Sequence, residues 1–398
     1  MFRIDRAKIL LVAAVSVVPL VALVSVCHLT PMAPKAYDFG RASTLPGYGA
    51  LAWNGARFGF AWSGTAESGP AVYFQPIADI GTPIGSPTIA YEYGQTPNHG
   101  SYIELVWNGE EFGLFWRCDL HWGISFVPIS SDGQVLGDVT RVATPGRLTT
   151  KHLTYDATWT GTEYGVAWYY TGSGDIEGGS VMLTRLSATG ELLGESTLGH
   201  FSYFGGPNRP VLAGHGSNYA VCWVANVNTL FVRIVDGDNE NAGSWSIPFD
   251  LGCNCIDVAW SGQSYNVIWE ELGEISYVLL GSDGHQHQNV VNLLKGDSPS
   301  LVWNGHEFAI AWYGYSCWPM CPGMMHCGGE LDFTRFSASG QIIQSLALDG
   351  LVITVPSAPG IFWKNPGYAI TYKRDYFDDN CDLVISPYLV KHSKSQSD

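Results

Sequence analysis

In short segments that recur along the chain, bulky and small side chains alternate with a period of two and no polar face, as in strands covered on both sides. The alternation is plain in Phe58-Gly59-Phe60-Ala61-Trp62 and in Tyr164-Gly165-Val166-Ala167-Trp168. A Trp-x-Gly element stands ahead of such segments, with Gly suited to the positive φ of a tight turn. Turn and alternating segment together predict a β-hairpin.

The pattern recurs. Its template is Trp, Gly two residues on, an aromatic five on and Trp nine on. It is met at Trp53/Gly55/Phe58/Trp62, Trp107/Gly109/Phe112/Trp116, Trp159/Gly161/Tyr164/Trp168, Gly214/Gly216/Tyr219/Trp223, Trp260/Gly262/Tyr265/Trp269, Trp303/Gly305/Phe308/Trp312 and Trp363/Asn365/Tyr368/Tyr372. The sixth position after each start is mostly small (Gly59, Gly113, Gly165, Ala220, Asn266, Ala309, Ala369) and the seventh is large (Phe60, Leu114, Val166, Val221, Val267, Ile310, Ile370). A second hairpin follows each first one, turning at Gly81, Gly133, Gly190, Gly237, Gly284 and Gly340.

Four strands in each unit of roughly fifty residues is the spacing of a propeller blade. The fold predicted is all-β, a seven-bladed β-propeller of four-stranded blades spanning residues 37–390, with a polar tail at 391–398. The seventh unit lacks its fourth strand. The segment Phe39-Gly40-Arg41-Ala42-Ser43-Thr44, similar to the fourth-strand segments Leu136–Thr140 and Leu193–Thr197, is expected to supply it and close the ring. Closure leaves no open sheet edge at the junction.

Composition sharpens this picture. Twelve of the 15 tryptophans occupy the repeat, leaving Trp122, Trp245 and Trp318 outside it. Only 14% of residues are charged, and the formal net charge is −16. An acidic chain of this kind is unsuited to nucleic acid, which selects basic surfaces.

At the N-terminus Arg3, Arg6 and Lys8 precede an uncharged run, Ile9 to Val26, in the order of an export signal. Residues 1–27 are therefore a signal peptide or a membrane-anchoring helix, and 28–36 a linker. The run is long enough to span a membrane, although Pro19 would kink such a helix. Leu23-Val24-Ser25-Val26-Cys27 resembles a lipobox with Cys27 as the lipidated residue, but Val26 stands where that pattern has a small side chain. Lipidation, an uncleaved anchor and ordinary secretion all remain open at this point. Each puts the protein outside the cytoplasm, in the cell envelope or secreted.

The repeat resembles that of secreted, often lipid-anchored, bacterial β-propeller proteins, largely of unassigned function, whose blades carry Trp-Asn-Gly-x-x-Phe/Tyr-x-x-x-Trp. The likeness covers about residues 37–390 and implies architecture, not chemistry.

Export makes disulfides the default for cysteines. The candidates are Cys118, Cys253, Cys255, Cys317, Cys321, Cys327 and Cys381; Cys222, in the small column of a strand, reads equally as an inert buried thiol. The sixth unit holds an insertion, Cys317-Trp318-Pro319-Met320-Cys321-Pro322-Gly323-Met324-Met325-His326-Cys327. Its thiols, thioethers and imidazole suit a soft metal, but Cys-x3-Cys-x5-Cys is no established ligand spacing, and a disulfide-pinned loop is the preferred reading. No metal or cofactor is assigned.

Ligands of propellers meet the loops around one end of the ring, because the scaffold is occupied by packing. On that face the sequence places Arg117, Asp119, His121, Trp122, Glu270, Glu271, Trp318, Lys373, Arg374 and Asp375, with His99, His152 and His200 in connections between blades. No G-x-S-x-G elbow, P-loop, dinucleotide fingerprint or H-E-x-x-H helix is present. The expectation is a monomeric binding or scaffold module for a protein or glycan ligand, held at a membrane through its N-terminus. The alternative is a propeller glycoside hydrolase or lyase that uses carboxylates of the loop face.

Overall fold

The computed structural model describes residues 35–36, 49–79, 81–94, 100–118, 123–143, 153–171, 179–201, 209–225, 229–237, 241–248, 253–321, 324–353, 359–364, 367–375 and 381–386. These residues form seven four-stranded antiparallel sheets, here sheets I to VII in chain order. The described residues contain no helix, so none is long and apolar enough to cross a membrane. The predicted signal or anchor at 1–27 lies outside them.

Each template copy is the first hairpin of a sheet. Its first strand ends at the leading Trp and its second starts at the aromatic, as in Gly49–Trp53 followed by Phe58–Ala66. The turn between them has a local cause. Asn54 Oδ1 accepts hydrogen bonds from the amides of Ala56 and Arg57 at 2.9 and 2.8 Å, while Gly55 takes φ +95°. Asn108 and Asn304 do the same in sheets II and VI. The Asn-Gly pair is thus an Asx turn followed by a left-handed glycine.

The inner strands Gly49–Trp53, Gly100–Trp107, Leu153–Trp159, Val211–His215, Cys253–Trp260, Asp297–Trp303 and Gly360–Lys364 each touch the next, and the last touches the first. The sheets therefore close into a ring, the architecture of a β-propeller. Both hairpin turns of a sheet lie at one end, the turn end. The starts of the inner strands and the connections between second and third strands lie at the other, the entry end.

The core is not one mass but a set of layers between neighbouring sheets. One cluster joins Ala52, Phe74 and Ala61 of sheet I to Leu105, Phe112 and Trp116 of sheet II. Another joins Phe58, Phe60 and Ile77 of sheet I to Ala369 of sheet VII across the closure. The small sixth template position has its reason here: a β-carbon added at Gly113 would lie 2.7 Å from the Tyr164 ring, and one at Gly59 would lie 3.0 Å from Phe112. In sheets II, III and IV the aromatic of one sheet lies on the glycine of the sheet before it. The leading Trp of each copy packs on its own aromatic, with centroids 4.7 Å apart for Trp53–Phe58, Trp107–Phe112 and Trp159–Tyr164.

An N-terminal strand completes sheet VII, as expected. Lys35 and Ala36 pair with Ile385 and Val384. They fall in the predicted linker, ahead of the predicted strand at 39–44, which lies outside the described residues. The sixth-unit insertion is not an irregular loop. It continues the ladder as Phe308–Cys321 and Met324–Phe336, with Cys317 opposite Cys327.

Candidate binding site inside the ring

Three inner strands carry an acidic residue at one register position, three before the template start: Glu104, Asp156 and Asp257. In strands otherwise chosen for packing, a carboxylate needs a partner. Asp156 Oδ2 accepts the Leu212 amide of the next sheet at 3.0 Å, and Asp257 Oδ2 accepts the Leu301 amide of its next sheet at 2.7 Å. The same position thus ties one sheet to the following one twice.

Arg209 lies just ahead of the inner strand of sheet IV. Its Nη2 is 2.6 Å from Glu104 Oε1 and 2.5 Å from Asp156 Oδ1, so one guanidinium joins sheets II and III to the entry of sheet IV. Its side chain is 46% exposed, yet desolvation is the largest influence on it. Both hold for a group that water reaches but protein encloses. The two carboxylates overcome that desolvation and raise the guanidinium pKa.

The carboxyls respond in kind. Burial pushes Glu104 up to about 7, Arg209 opposes this and Asp156 adds to it. Burial likewise pushes Asp257 up to about 7 against the amide bond from Leu301, with Asp156 adding to the rise. Three carboxyls and one guanidinium make an acidic cluster on the inside of the ring.

A polar belt continues from it. Tyr155 Oη donates to the carbonyl of Tyr102, a residue held at φ +50°, where non-glycine residues are rare. Arg117 stands 4.5 Å over the Tyr102 ring and donates from Nη1 to the Leu153 carbonyl at 3.1 Å, bridging sheets II and III.

Of the residues singled out from sequence, Arg117 is the one among the described residues that reaches the belt beside this cluster. Glu270 is buried, and its Oε1 accepts the Gly273 amide at 2.6 Å, pinning the turn that follows it. Glu271 is half-buried beside it, opposite Glu274. Trp318 stands opposite His326, and Lys373, Arg374 and Asp375 stand opposite Leu383, Asp382 and Cys381, all within strands rather than loops. Asp119, His121, Trp122, His99, His152 and Cys27 lie outside the described residues. His200 sits in the strand Leu192–Phe201 with Nδ1 2.9 Å from Ser180 Oγ.

Of the cysteines whose side chains are described, Cys222 and Cys255, neither is in a disulfide. Cys255, a disulfide candidate from sequence, is a free thiol with Sγ 3.5 Å from Ser298 Oγ. Its strand carries a register shift between Cys253 and Ile256. Cys222 is a fully buried thiol, raised well above its ordinary pKa by burial and then by Asp257 and Asp156. The side chains of Cys118, Cys253, Cys317, Cys321, Cys327 and Cys381 are not among those described. No group of three or more His, Cys, Asp or Glu among the described residues is arranged to hold a metal ion.

Among solved structures the chain is similar to a prolyl endopeptidase at 11% identity, covering 85% of this chain and 49% of that one with a TM-score of 0.48. It is similar to the Dos1 propeller at 10% identity, over 84% and 77% of the two chains, TM-score 0.46. A chain of the mitotic checkpoint complex matches at 11% identity, over 96% and 99%, TM-score 0.48. This chain spans about half the length of the prolyl endopeptidase it matches. No protein-family model and no curated protein matches it. What defines it as a β-propeller is its own sheets and the order in which they touch.

Proposed function

We propose that this protein is an exported propeller that binds a protein ligand, taking a basic segment of it at Glu104, Asp156, Asp257 and Arg209. The observation that carries this reading is the recurrence of a carboxyl at one register position of three inner strands, with a single guanidinium set among them. Local acidity of this kind, in a chain of net charge −16, attracts lysine and arginine and steers their approach. The N-terminal apolar run would export the protein and hold it at a membrane. Arrays of basic peptides, acidic peptides and neutral glycans on the full chain test the ligand class. Retention of basic peptides supports the reading, and retention of glycans alone overturns it.

One observation favours a second reading, a glycoside hydrolase or lyase. Glu104 is held up to about 7, and both it and Asp156 lie within contact of one guanidinium nitrogen. A protonated carboxyl beside a carboxylate is the pair that glycoside cleavage requires. Release of reducing sugar from a polysaccharide panel, abolished by Glu104→Gln, would establish it in place of the first.

A further inference from the structure

Eleven large hydrophobic side chains are exposed among the described residues, and seven of them lie two or three residues after the turn glycine that leads into a fourth strand. The second and third residues after the turn glycine are Pro83-Ile84 in sheet I, Val135-Leu136 in II, Leu192-Leu193 in III and Ile342-Ile343 in VI. Leu192 is 54% exposed, and Leu136 and Ile343 are each 51% exposed. In sheet V the same positions are Gln286-His287, and in IV the sequence has Asn239-Glu240. Scattered surface apolar residues carry no message, but these share one register and one end of the ring.

Around the ring they fall in one arc. Sheets VI, I, II and III carry them, IV and V do not, and the sheet between VI and I is VII. The fourth strand of sheet VII is Lys35–Ala36, paired antiparallel with the end of Cys381–Ser386. The chain therefore enters sheet VII at the turn end, where the apolar pairs lie. Only eight residues separate Lys35 from the apolar run ending at Val26, and fully extended they span at most about 30 Å.

We propose that the turn end of the arc VI–VII–I–II–III rests on a lipid bilayer, with Ile84, Leu136, Leu192, Leu193, Ile342 and Ile343 dipping into its interface. This rests on the reading that residues 9–26 hold the protein at a membrane. The entry end, where Arg209 precedes its inner strand, then faces away from the bilayer toward ligands. Asp132, Asp138 and Glu191 border the apolar pairs, so the surface suits zwitterionic headgroups and is repelled by anionic ones.

The test is a lipid-borne carbene photolabel on the full chain reconstituted in phosphatidylcholine vesicles, read by peptide mapping. Label is expected on residues 9–26 and on peptides containing 135–136, 192–193 and 342–343, at least about tenfold above the peptide containing 286–287. The triple variant Leu136→Glu, Leu193→Glu, Ile343→Glu is expected to lose the second set, keep the label on 9–26 and melt as the parent does. Label confined to 9–26 overturns the orientation while leaving the anchor intact. Absence of label from 9–26 overturns the anchor, and the proposal with it.

Discussion

Tyr219 of sheet IV donates its hydroxyl to Glu163 Oε1 of sheet III at 2.7 Å. The same carboxylate takes Arg185 through Nε at 2.7 Å and Nη2 at 2.8 Å. Sheet VI repeats the arrangement with Glu307, Arg335 and Tyr368 of sheet VII. Tyr219 therefore does two things at once: its ring packs on Gly165 of the preceding sheet, and its hydroxyl is bonded to a carboxylate there. Removing the carboxylate strands a guanidinium that is only 14% exposed. Glu163→Ala is expected to cost about 3 kcal/mol and Tyr219→Phe about 1 kcal/mol. Equilibrium urea unfolding of both single variants and the double variant checks this, with a double loss smaller than the sum of the single ones.

The glycine under the ring makes a sharper case. Gly113→Ala would place a β-carbon 2.7 Å from Tyr164, in a layer with no room to yield. A loss of about 1–3 kcal/mol is expected, and Tyr164→Leu in the same chain should restore part of it. Urea unfolding in which Gly113→Ala matches the parent would mean that the sheets are not interlocked in this way.

Leu272 is 67% exposed at φ +52°, the first residue of a two-residue turn between Glu271 and Glu274. Such a turn prefers Asn or Gly at that place, and leucine there costs about 1–2 kcal/mol. Leu272→Asn is expected to raise the melting temperature by a few degrees. A lower melting temperature would show that the leucine is held by packing rather than tolerated.

The carboxyls inside the ring set a pH dependence. Glu104 and Asp257, ordinarily at 4.5 and 3.8, are both pushed up to about 7 in the folded protein. The folded chain thus keeps protons that the unfolded chain has released, and stability falls as pH rises from about 4 to about 7 and levels above it. Glu104→Gln should flatten its share of that fall. Melting temperatures of parent and variant from pH 4.5 to 8 should converge at the acidic end and separate in the variant's favour above 7.

The strands, their hairpins and the ring were legible because packing repeats itself: Trp-x-Gly, aromatic and Trp recur at fixed spacing wherever one sheet must cover the next. The site was less legible. Glu104, Asp156 and Asp257 stand three residues ahead of a template that begins at the Trp, and Arg209 precedes the copy that begins at Gly214 instead of Trp. Extending the alignment upstream would have exposed the acidic column within an apolar strand. The preference for loop residues led instead to Glu270, which serves a turn, although it also led to Arg117, which does reach the belt beside the cluster. Lys35 and Ala36, which pair with the last strand of sheet VII, carry no pattern of their own.

Calorimetric titration of the full chain with a lysine- and arginine-rich hexapeptide, beside its aspartate- and glutamate-rich counterpart, tests the central claim most directly. The basic peptide is expected to bind, more weakly as salt is raised, and Glu104→Gln with Asp257→Asn should weaken it about tenfold or more, a difference of about 1.4 kcal/mol. Equal affinity for both peptides, or a basic-peptide affinity untouched by the two substitutions, would contradict a ligand site at these carboxyls.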